Sequence, residues 1–473
     1  LGIAFSLALY SAFKSEEEID IKLALLFFLW IAASIYAATK GARFVLLLVP
    51  PVAIGIGITF GFAHRALSSI IAKLIKVNKV FAAVILFLVF SYYLIGPVKE
   101  GINTAKSYLP NVNDQWWNAL TKIKENSKPD AIINSWWDFG HWFKYIADRR
   151  VTLDGSSQNH PQLHWLGKLL LTHDEKEAVG ILRMLDCGGN KAFNTINKIK
   201  NNTPKSISLL NKLILVNDKG KAKTMLVNEG FSQEESEKVI EYTHCEPPEN
   251  FLIASEDMIG KSGVWAHFGS WNFEKAWMQQ AFARNNDKAK VIRMFMDEFN
   301  YSEETASNYY SEIKELKSES DVNEWIAPWP GYMSRESCQS AVNALRCPLQ
   351  QGFVEIDLAS MDATIPTSAG IKRPEAFSYT SSSGINMREY HNNTINIGIV
   401  LLINKDGSYS SIYMAPQLVN STFTKLFYLD GHGTSYFDLF HESSGSGVDI
   451  KVWKVNWDGS KNPRIVERFD VQA

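Results

Sequence analysis

Several features of well-known enzyme and binding classes are missing from this sequence. Its 473 residues carry 48 basic and 50 acidic side chains, so no surplus of positive charge favours nucleic acid as a partner. It has no P-loop, no Gly-x-Ser-x-Gly turn and no glycine-rich dinucleotide fingerprint. His160 and His164 lack an HExxH pattern and no CxxC pair is present, which argues against a zinc hydrolase or a structural zinc site. A membrane glycosidase is disfavoured as well, because no pair of carboxylates stands out.

Long apolar runs are confined to the beginning of the chain. Leu23–Ala38, Arg43–Ala63 and Val80–Pro97 each approach the ~20 residues that a bilayer crossing needs, and we predict that they are transmembrane helices. Leu1–Phe13 is also apolar, and we expect it to be the end of a further helix in a multi-span region. The alternative is that these runs are buried core helices of a soluble protein.

The loop charges predict an orientation. His64–Lys79 carries basic but no acidic residues, which places this loop on the cytoplasmic side under the positive-inside rule. By alternation, the turn Thr39–Arg43 and everything after Pro97 then face outside. Arg43 would lie at the outer mouth of its helix, where one simple role would be to anchor the helix at the membrane interface.

The four cysteines all follow Pro97 and so belong to the part predicted to lie outside, where disulfides are allowed. Cys338 and Cys347 are the pair favoured by proximity along the chain. Four cysteines permit three connectivities, and the sequence does not choose among them.

The part after the apolar runs changes character once. Between about Asn118 and Ala344, apolar residues recur at three- and four-residue spacing, which predicts helices. Beyond about Cys347, short alternating runs separated by turn residues predict strands. We therefore expect a multi-domain membrane protein: transmembrane α-helices in residues 1–100, a mainly α-helical exterior domain in 101–346, and a β-rich sandwich or barrel domain in 347–473.

Three adjacent side chains, Trp136, Trp137 and Asp138, carry the strongest chemical signal. Two indole N–H groups donate hydrogen bonds and an ionised carboxylate accepts them, which complements the donor and lone pairs of a hydroxyl group. A pocket of this kind would reject an analogue that lacks the hydroxyl, because buried polar groups would lose their partners. The structural alternative is that both tryptophans are core or membrane-interface aromatics and that Asp138 caps a helix.

The segment Trp136-Trp137-Asp138-Phe139-Gly140 resembles the WWDYG signature of oligosaccharyltransferase catalytic subunits, with Phe139 where Tyr is usual. In that family, the resemblance implies, the first three residues bind the hydroxyl of the third residue of an Asn-x-Ser/Thr sequon. The likeness covers most of the chain and is to the archaeal type. It implies that this sequence is the carboxy-terminal part of such a subunit and lacks the amino-terminal transmembrane region.

A second resemblance lies about 120 residues further on, between Ser255 and Trp265. This stretch is similar to the family's second sequon-binding helix, although it departs from both usual forms of that motif: Met258, Lys261 and Trp265 have the spacing of one form, and Asp257 is one place away from the other. The resemblance implies that Lys261 supports the Trp-Trp-Asp pocket and that Trp265 packs on the threonine methyl group, with Asp257 as a further candidate. The plainer interpretation of Lys261 is a solvated helix lysine.

Arg43, with the Pro50-Pro51 pair that follows it, resembles a late transmembrane helix whose arginine contacts the lipid-linked pyrophosphate in this family. A cation at the outer mouth of a helix suits a leaving diphosphate. Mn²⁺ or Mg²⁺ is the cofactor that the resemblance implies for the complete enzyme. Its ligands and the catalytic residues are expected before Leu1, so that this chain by itself would not catalyse.

The function expected from the resemblance is transfer of an oligosaccharide from a lipid-pyrophosphate carrier of dolichol type to asparagine. The expected partners are an acceptor polypeptide with Asn-x-Ser/Thr, the lipid-linked oligosaccharide and membrane lipid, with no nucleic acid. The expected location is the cell membrane, multi-pass, with the carboxy-terminal domains outside; an endoplasmic reticulum membrane is the alternative. A rival from another class is a membrane-anchored peptide-binding or adhesion protein that uses the aromatic pocket without catalysis.

Overall fold

The computed structural model describes residues 21–108, 112–381, 384–404, 406–445 and 448–460, with side chains from residue 25 onward. It divides the chain into two compact units, Leu1–Asn111 and Val112–Ala473. The apolar run Leu1–Phe13 lies outside the described residues.

The first unit consists of apolar helices. They are α1 (Ile21–Ala38), a 3₁₀ segment (Ala42–Leu48), α2 (Val49–Ile75) and α3 (Lys79–Ser107). Two segments of the described chain, Ala42–Ile75 and Lys79–Ser107, are long and apolar enough to cross a membrane. In α3, Phe87 and Leu88 are 62% and 61% exposed, unlike side chains of a soluble core helix, so these helices fit membrane association.

Two of the three predicted spans, Arg43–Ala63 and Val80–Pro97, fall within these two segments. The first predicted span, Leu23–Ala38, lies within α1, whose side chains are described only from residue 25 onward, and its crossing of a membrane stays a prediction.

The second unit begins with a mostly helical region, as predicted. Its helices are α4 (Asp114–Asn126), α5 (Gln162–Leu171), α6 (Glu175–Gly188), α7 (Lys191–Lys200), α8 (Thr203–Ile214), α9 (Lys219–Asn228), α10 (Gln233–Thr243), α11 (Ser262–Gly269), α12 (Phe273–Arg284), α13 (Lys288–Phe299), α14 (Glu303–Glu315) and α15 (Glu319–Ile326). Most begin at a side chain that caps the first turn; Ser232, for example, accepts a hydrogen bond from the backbone N–H of Glu235 at the start of α10.

A five-stranded sheet runs through this helical region. Its strands are β1 (Ile132–Asn134), β2 (Arg150–Val151), β3 (Asn250–Ser255), β13 (Phe437–Gly445) and β14 (Val448–Val455), in the order β13-β14-β3-β1-β2. β1 is parallel to β3, with Asn134 paired to Leu252. Because neighbouring parallel strands end at the same edge of a sheet, the chain leaves β1 and β3 side by side. The two predicted sequon-binding elements follow these two strands.

The β-rich end of the chain is also confirmed. A nine-stranded sheet among the described residues has the order β4-β12-β11-β9-β8-β7-β6-β5, with β10 paired to β9. Its strands are β4 (Tyr332–Ser337), β5 (Gln339–Ser340), β6 (Ala344–Pro348), β7 (Phe353–Asp357), β8 (Ala363–Thr367), β9 (Gly370–Ser381), β10 (Gly384–Glu389), β11 (Thr394–Ile403) and β12 (Tyr409–Met414). Strands thus begin before residue 347, and β13 and β14 belong to the other sheet. A short helix, α16 (Thr422–Phe427), lies between β12 and β13.

Two disulfides fasten the second unit. Cys338 pairs with Cys347, as proximity predicted, and Cys187 at the end of α6 pairs with Cys245 after α10.

Two glycines permit a close contact between helices α5 and α11. A Cβ at Gly167 in α5 would lie 2.2 Å from the carbonyl oxygen of Trp265 in α11, and one at Gly269 would lie 2.3 Å from the carbonyl carbon of Gly167. The backbone of α11 is therefore held directly against α5.

Candidate functional site

The Trp-Trp-Asp segment occupies the turn that follows β1. Trp136 has extended backbone and is 2% exposed, and Trp137–Phe139 form one 3₁₀ turn in which Trp137 and Asp138 are half-buried. Ser135, immediately before them, donates a hydrogen bond from Oγ to the carbonyl oxygen of Ile253 in β3, at 2.9 Å. The turn is thus fastened to the strand that leads into the second element.

Lys261 joins the two predicted elements. Its Nζ lies 3.0 Å from Oδ1 of Asp138 and 2.8 Å from Oδ2 of Asp257. The same ammonium group lies 5.0 Å from the centroid of the Phe139 ring, within the range of a cation–π contact. The structure therefore brings Asp138, Asp257 and Lys261 together, and the plainer interpretation of Lys261 as a solvated lysine does not hold.

The charge state of Lys261 follows from this setting. Burial lowers the pKa of its ammonium group, but the hydrogen bonds and negative charges of Asp257 and Asp138 raise that pKa above its ordinary value. Lys261 therefore stays cationic at neutral pH and compensates two neighbouring carboxylates. Without it, the two acidic side chains would face each other with no cation between them, which is unfavourable.

One carboxylate oxygen of Asp138 remains available to accept a hydrogen bond. Its Oδ1 faces Lys261, whereas Oδ2 is buried and has no hydrogen-bond partner within the described part of the chain. A buried carboxylate oxygen without a partner carries a free-energy cost that a bound hydroxyl group would relieve. Asp138 does not serve as a helix cap, because Trp136 is the cap residue of this turn and makes no side-chain capping bond.

Trp265 does not line the pocket. It is 0% exposed, its Nε1 donates to the carbonyl oxygen of Met258 at 2.9 Å, and its ring lies 5.5 Å from that of Phe423. The expected contact of Trp265 with a threonine methyl group is thus corrected to a core position. The reason is the close approach of α11 to α5, which turns this side of α11 inward.

Asp186 is a residue that sequence reasoning missed. It lies on α6 and its carboxylate accepts hydrogen bonds from Nδ2 of Asn134, at 3.0 Å, and from Nδ2 of Asn250. Asn134 ends β1 and Asn250 begins β3, so one carboxylate holds both strands that lead into the site. No motif marks Asp186 in the sequence, since a single aspartate on an amphipathic helix is ordinarily a surface residue.

We expect Asp186→Asn to change the pH dependence of stability. Burial raises the pKa of Asp186 from 3.8 to about 7, although both asparagines and the charge of Arg150 lower it. Because the folded-state pKa is raised, the protonated side chain of Asp186 stabilises the folded state fully below pH 4. This stabilisation is lost as the pH rises to about 7. At about 1.4 kcal/mol for each tenfold change in the ionisation equilibrium, the loss is on the order of 4 kcal/mol.

Denaturant unfolding of the full chain in detergent, at several pH values between about 4.5 and 8, measures this effect. Asn at 186 cannot ionise, so the free energy of unfolding of Asp186→Asn should fall less with rising pH than that of the wild type. The exposed Asp130→Asn is the matched control and should keep the wild-type slope. Equal slopes in the two variants would contradict the expectation.

A buried carboxylate supports the other side of the Trp-Trp-Asp turn. Asp154 accepts hydrogen bonds from Lys144 and from Ser156, and the ring of His141 lies 3.9 Å away. Burial raises the pKa of Asp154, but the hydrogen bonds of Lys144 and Ser156 outweigh burial and hold it well below the usual range. Asp154 is therefore ionised at neutral pH and fixes the loop against which Gly140 packs.

Arg43 is the remaining predicted site residue, and it lies in a different unit from the residues described above. Arg43 belongs to the first unit, where it is exposed at the start of the Ala42–Ile75 segment with its guanidinium carbon 5.5 Å from the ring centroid of Phe44. Its location on the same side of the membrane as the Trp-Trp-Asp turn stays a prediction. Within the described ranges, no group of three or more His, Cys, Asp or Glu side chains could hold a metal ion.

Comparison with known proteins supports the resemblance seen in the sequence. Residues 129–275 match the model of a protein family described as the STT3/PglB/AglB core domain. This segment contains both predicted sequon-binding elements, and the match confirms the resemblance to oligosaccharyltransferase catalytic subunits.

Individual relatives agree with the archaeal type. The chain is 31% identical over 337 residues to a dolichyl-phosphooligosaccharide-protein glycotransferase of Methanocaldococcus jannaschii, covering 58% of this chain and 36% of the relative. It is 29% identical over 324 residues to the protein of the same name from Methanococcus voltae, covering 54% and 35%. The chain thus spans about a third of the length of these relatives. Among solved structures, the C-terminal domain of C. jejuni PglB matches with a TM-score of 0.34 and 13% identity, covering 72% of this chain and 98% of that domain.

Proposed function

We propose that this chain recognises the acceptor sequon in protein N-glycosylation, in which an oligosaccharide passes from a lipid-pyrophosphate carrier of dolichol type to asparagine. The matched family and the names of the archaeal relatives support the reaction class. The observation that carries the role of this chain is the Asp138 carboxylate, which is paired to Lys261 through one oxygen and keeps the other buried and unpartnered.

The proposed recognition follows from the chemistry of the turn. The hydroxyl group of the sequon serine or threonine donates to Oδ2 of Asp138 and accepts from the indole N–H groups of Trp136 and Trp137. Lys261 orients Asp138 through its other oxygen, and Asp257 in turn holds Lys261. A side chain without a hydroxyl group leaves these groups unpaired, which makes the pocket selective.

The lipid carrier is proposed to meet a different part of the chain. Arg43 is an exposed cation at the start of an apolar segment that is long enough to cross a membrane. A guanidinium group there suits a pyrophosphate, because the negative charge of the pyrophosphate increases as its bond to the sugar breaks. The divalent cation that the family resemblance implies, Mn²⁺ or Mg²⁺, has no group of three or more His, Cys, Asp or Glu side chains to hold it among the described residues.

The test is binding of fluorescent peptides by the full chain in detergent micelles. Peptides containing Asn-x-Thr and Asn-x-Ser should bind at least about tenfold more tightly than the matched Asn-x-Val peptide, which is the scale of one hydrogen bond to a charged group. Val has nearly the shape of Thr, so the comparison isolates the hydroxyl group. Equal binding of all three peptides would contradict sequon recognition and favour a membrane-anchored peptide-binding protein.

A further inference from the structure

A second cavity lies in the helical region, and none of the residues of the Trp-Trp-Asp site line it. It has a volume of about 330 Å³, at the lower end of the range of about 300–1,000 Å³ typical of small-molecule sites. Its walls come from α6, from the start of α9, from the segments that follow α8 and α10, and from the chain before β13 and after β14. The disulfide between Cys187 and Cys245 joins α6 to the segment after α10, two of the elements that form these walls.

The cavity is lined by cations. Lys176, Arg183 and Lys219 all border it. Arg183 donates from Nε to the carbonyl oxygen of Thr243 at 3.1 Å, while its Nη2 is buried and has no hydrogen-bond partner in the described parts of the chain. Neither lysine forms an ion pair with any residue that the structure describes. A buried guanidinium nitrogen with donors to spare is a place for an anion.

His244 also lines the cavity, and the nearby positive charges affect its pKa. Burial lowers the pKa of its imidazole, the hydrogen bond to the carbonyl oxygen of Val216 raises it, and the charges of Arg183 and Lys219 lower it further. Both ring nitrogens are engaged, one with Val216 and the other with the hydroxyl group of Thr243. His244 is therefore a fixed neutral part of the wall and leaves the three cations to face a ligand.

The other polar and aromatic groups at the cavity suit a sugar ring better than a bare anion. Trp457 and Tyr436 offer aromatic surface, and Trp457 is fixed by a hydrogen bond from Nε1 to the carbonyl oxygen of Pro248 at 3.3 Å. Asp458 and Asn217 add acceptors and a donor for hydroxyl groups. At Gly459 the backbone has φ +60° and a Cβ would lie 2.6 Å from Cζ of Tyr436, so a glycine permits this turn to close on the ring.

We propose that this cavity binds a carboxylated monosaccharide unit, such as a hexuronate. Arg183, with Lys176 and Lys219 beside it, takes the carboxylate. The apolar face of the pyranose ring packs on Trp457 or Tyr436, and Asp458 and Asn217 hydrogen-bond the ring hydroxyl groups. This inference stands apart from sequon recognition, because the two sites share no residue.

Isothermal titration calorimetry of the full chain in detergent micelles tests the proposal with sodium D-glucuronate. D-glucose is the neutral match, and sodium sulfate is an anion without a ring. Glucuronate should bind about tenfold or more tightly than either, since both the charge-assisted hydrogen bonds and the ring contact are needed. If glucose bound as tightly as glucuronate, the cations would have no role in binding. If sulfate bound as tightly as glucuronate, the sugar ring would have no role. Absence of glucuronate binding would overturn the proposal altogether.

Variants locate the site. Lys219→Gln alters an exposed side chain and should weaken glucuronate binding about threefold, whereas the exposed Lys198→Gln on α7 is the matched control and should not. Trp457→Leu should weaken glucuronate but leave sulfate unchanged. Arg183→Gln should abolish binding, and a thermal unfolding curve shows whether that variant is folded.

Equal affinities in Lys219→Gln and Lys198→Gln, together with wild-type affinity in Trp457→Leu, would show that the sugar binds elsewhere. Sequon-peptide binding should be unchanged in Lys219→Gln, which separates failure of this proposal from failure of the other.

Discussion

Asp138→Ala should remove the preference for Asn-x-Thr over Asn-x-Val peptides. The substitution deletes the one carboxylate oxygen of the turn that is buried and unpartnered, and with it the acceptor for the sequon hydroxyl group. A hydrogen bond to a charged group contributes roughly 1.5–3 kcal/mol, so Asn-x-Thr binding should weaken by about 10- to 150-fold. Binding of the Asn-x-Val peptide should change little, because valine makes no such bond. Fluorescence anisotropy with the full chain in micelles measures both affinities.

Two further variants separate recognition from stability. Asp138→Asn keeps an acceptor oxygen but loses the charge that pairs with Lys261, so it should retain part of the preference for threonine. Asp130→Ala removes an exposed aspartate of the same unit and should bind like the wild type. If Asp138→Ala kept the full preference while folded, the Trp-Trp-Asp turn would be structural and the hydroxyl group would be recognised elsewhere.

Gly140→Ala should both destabilise the second unit and disturb the site. A Cβ at this position would lie 2.2 Å from the carbonyl oxygen of Leu153 and 2.6 Å from Cα of Asp154, which are backbone atoms and cannot rotate away. Relief requires the Trp-Trp-Asp turn and the Asp154 loop to separate, at a cost of about 1–3 kcal/mol or more. The thermal transition should fall by several degrees, and the preference for threonine over valine should fall with it.

Gly260→Ala provides the matched comparison for this experiment. It lies in the predicted second sequon-binding element, but an added Cβ would approach nothing closer than the carbonyl oxygen of Asp257 at 4.0 Å. We expect its unfolding temperature and its peptide preference to stay near those of the wild type. A Gly140→Ala protein that matched Gly260→Ala in both measurements would show that the close approach of the Asp154 loop does not hold the turn.

The bridge through Lys261 explains how the two departures from the family motifs are accommodated. Phe139 replaces the usual tyrosine, yet its ring stacks on Trp142 with centroids 4.2 Å apart and presents a face to the Lys261 ammonium group. Asp257 is displaced from the expected spacing, but a separation of four residues still lets its carboxylate reach Lys261. Both departures thus leave the support of Asp138 intact.

Much of this protein was predictable from local patterns. The long apolar runs, the helical region, the β-rich end and the proximity of Cys338 to Cys347 each follow from residues that are near one another in the chain. The complementarity of Trp136, Trp137 and Asp138 to a hydroxyl group is likewise a property of three adjacent side chains. Periodicity and side-chain chemistry are expressed over a few residues, so one sequence is enough to find them.

The rest depended on contacts between distant segments, for which a single sequence carries no local signal. Pairing of β14 with β3 joins residues 450–454 to 251–255. The packing of α11 on α5 sends Trp265 into the core although its spacing suited a pocket, and the carboxylate of Asp186 holds two strands from a third element. The cations of the second cavity likewise come from two helices, Lys176 and Arg183 from α6 and Lys219 from α9. Sequence alone determined which groups the chain offers to the proposed hydroxyl ligand. Only the tertiary structure decided that Lys261 reaches Asp138 and that Trp265 does not, because helix packing and sheet pairing set those distances.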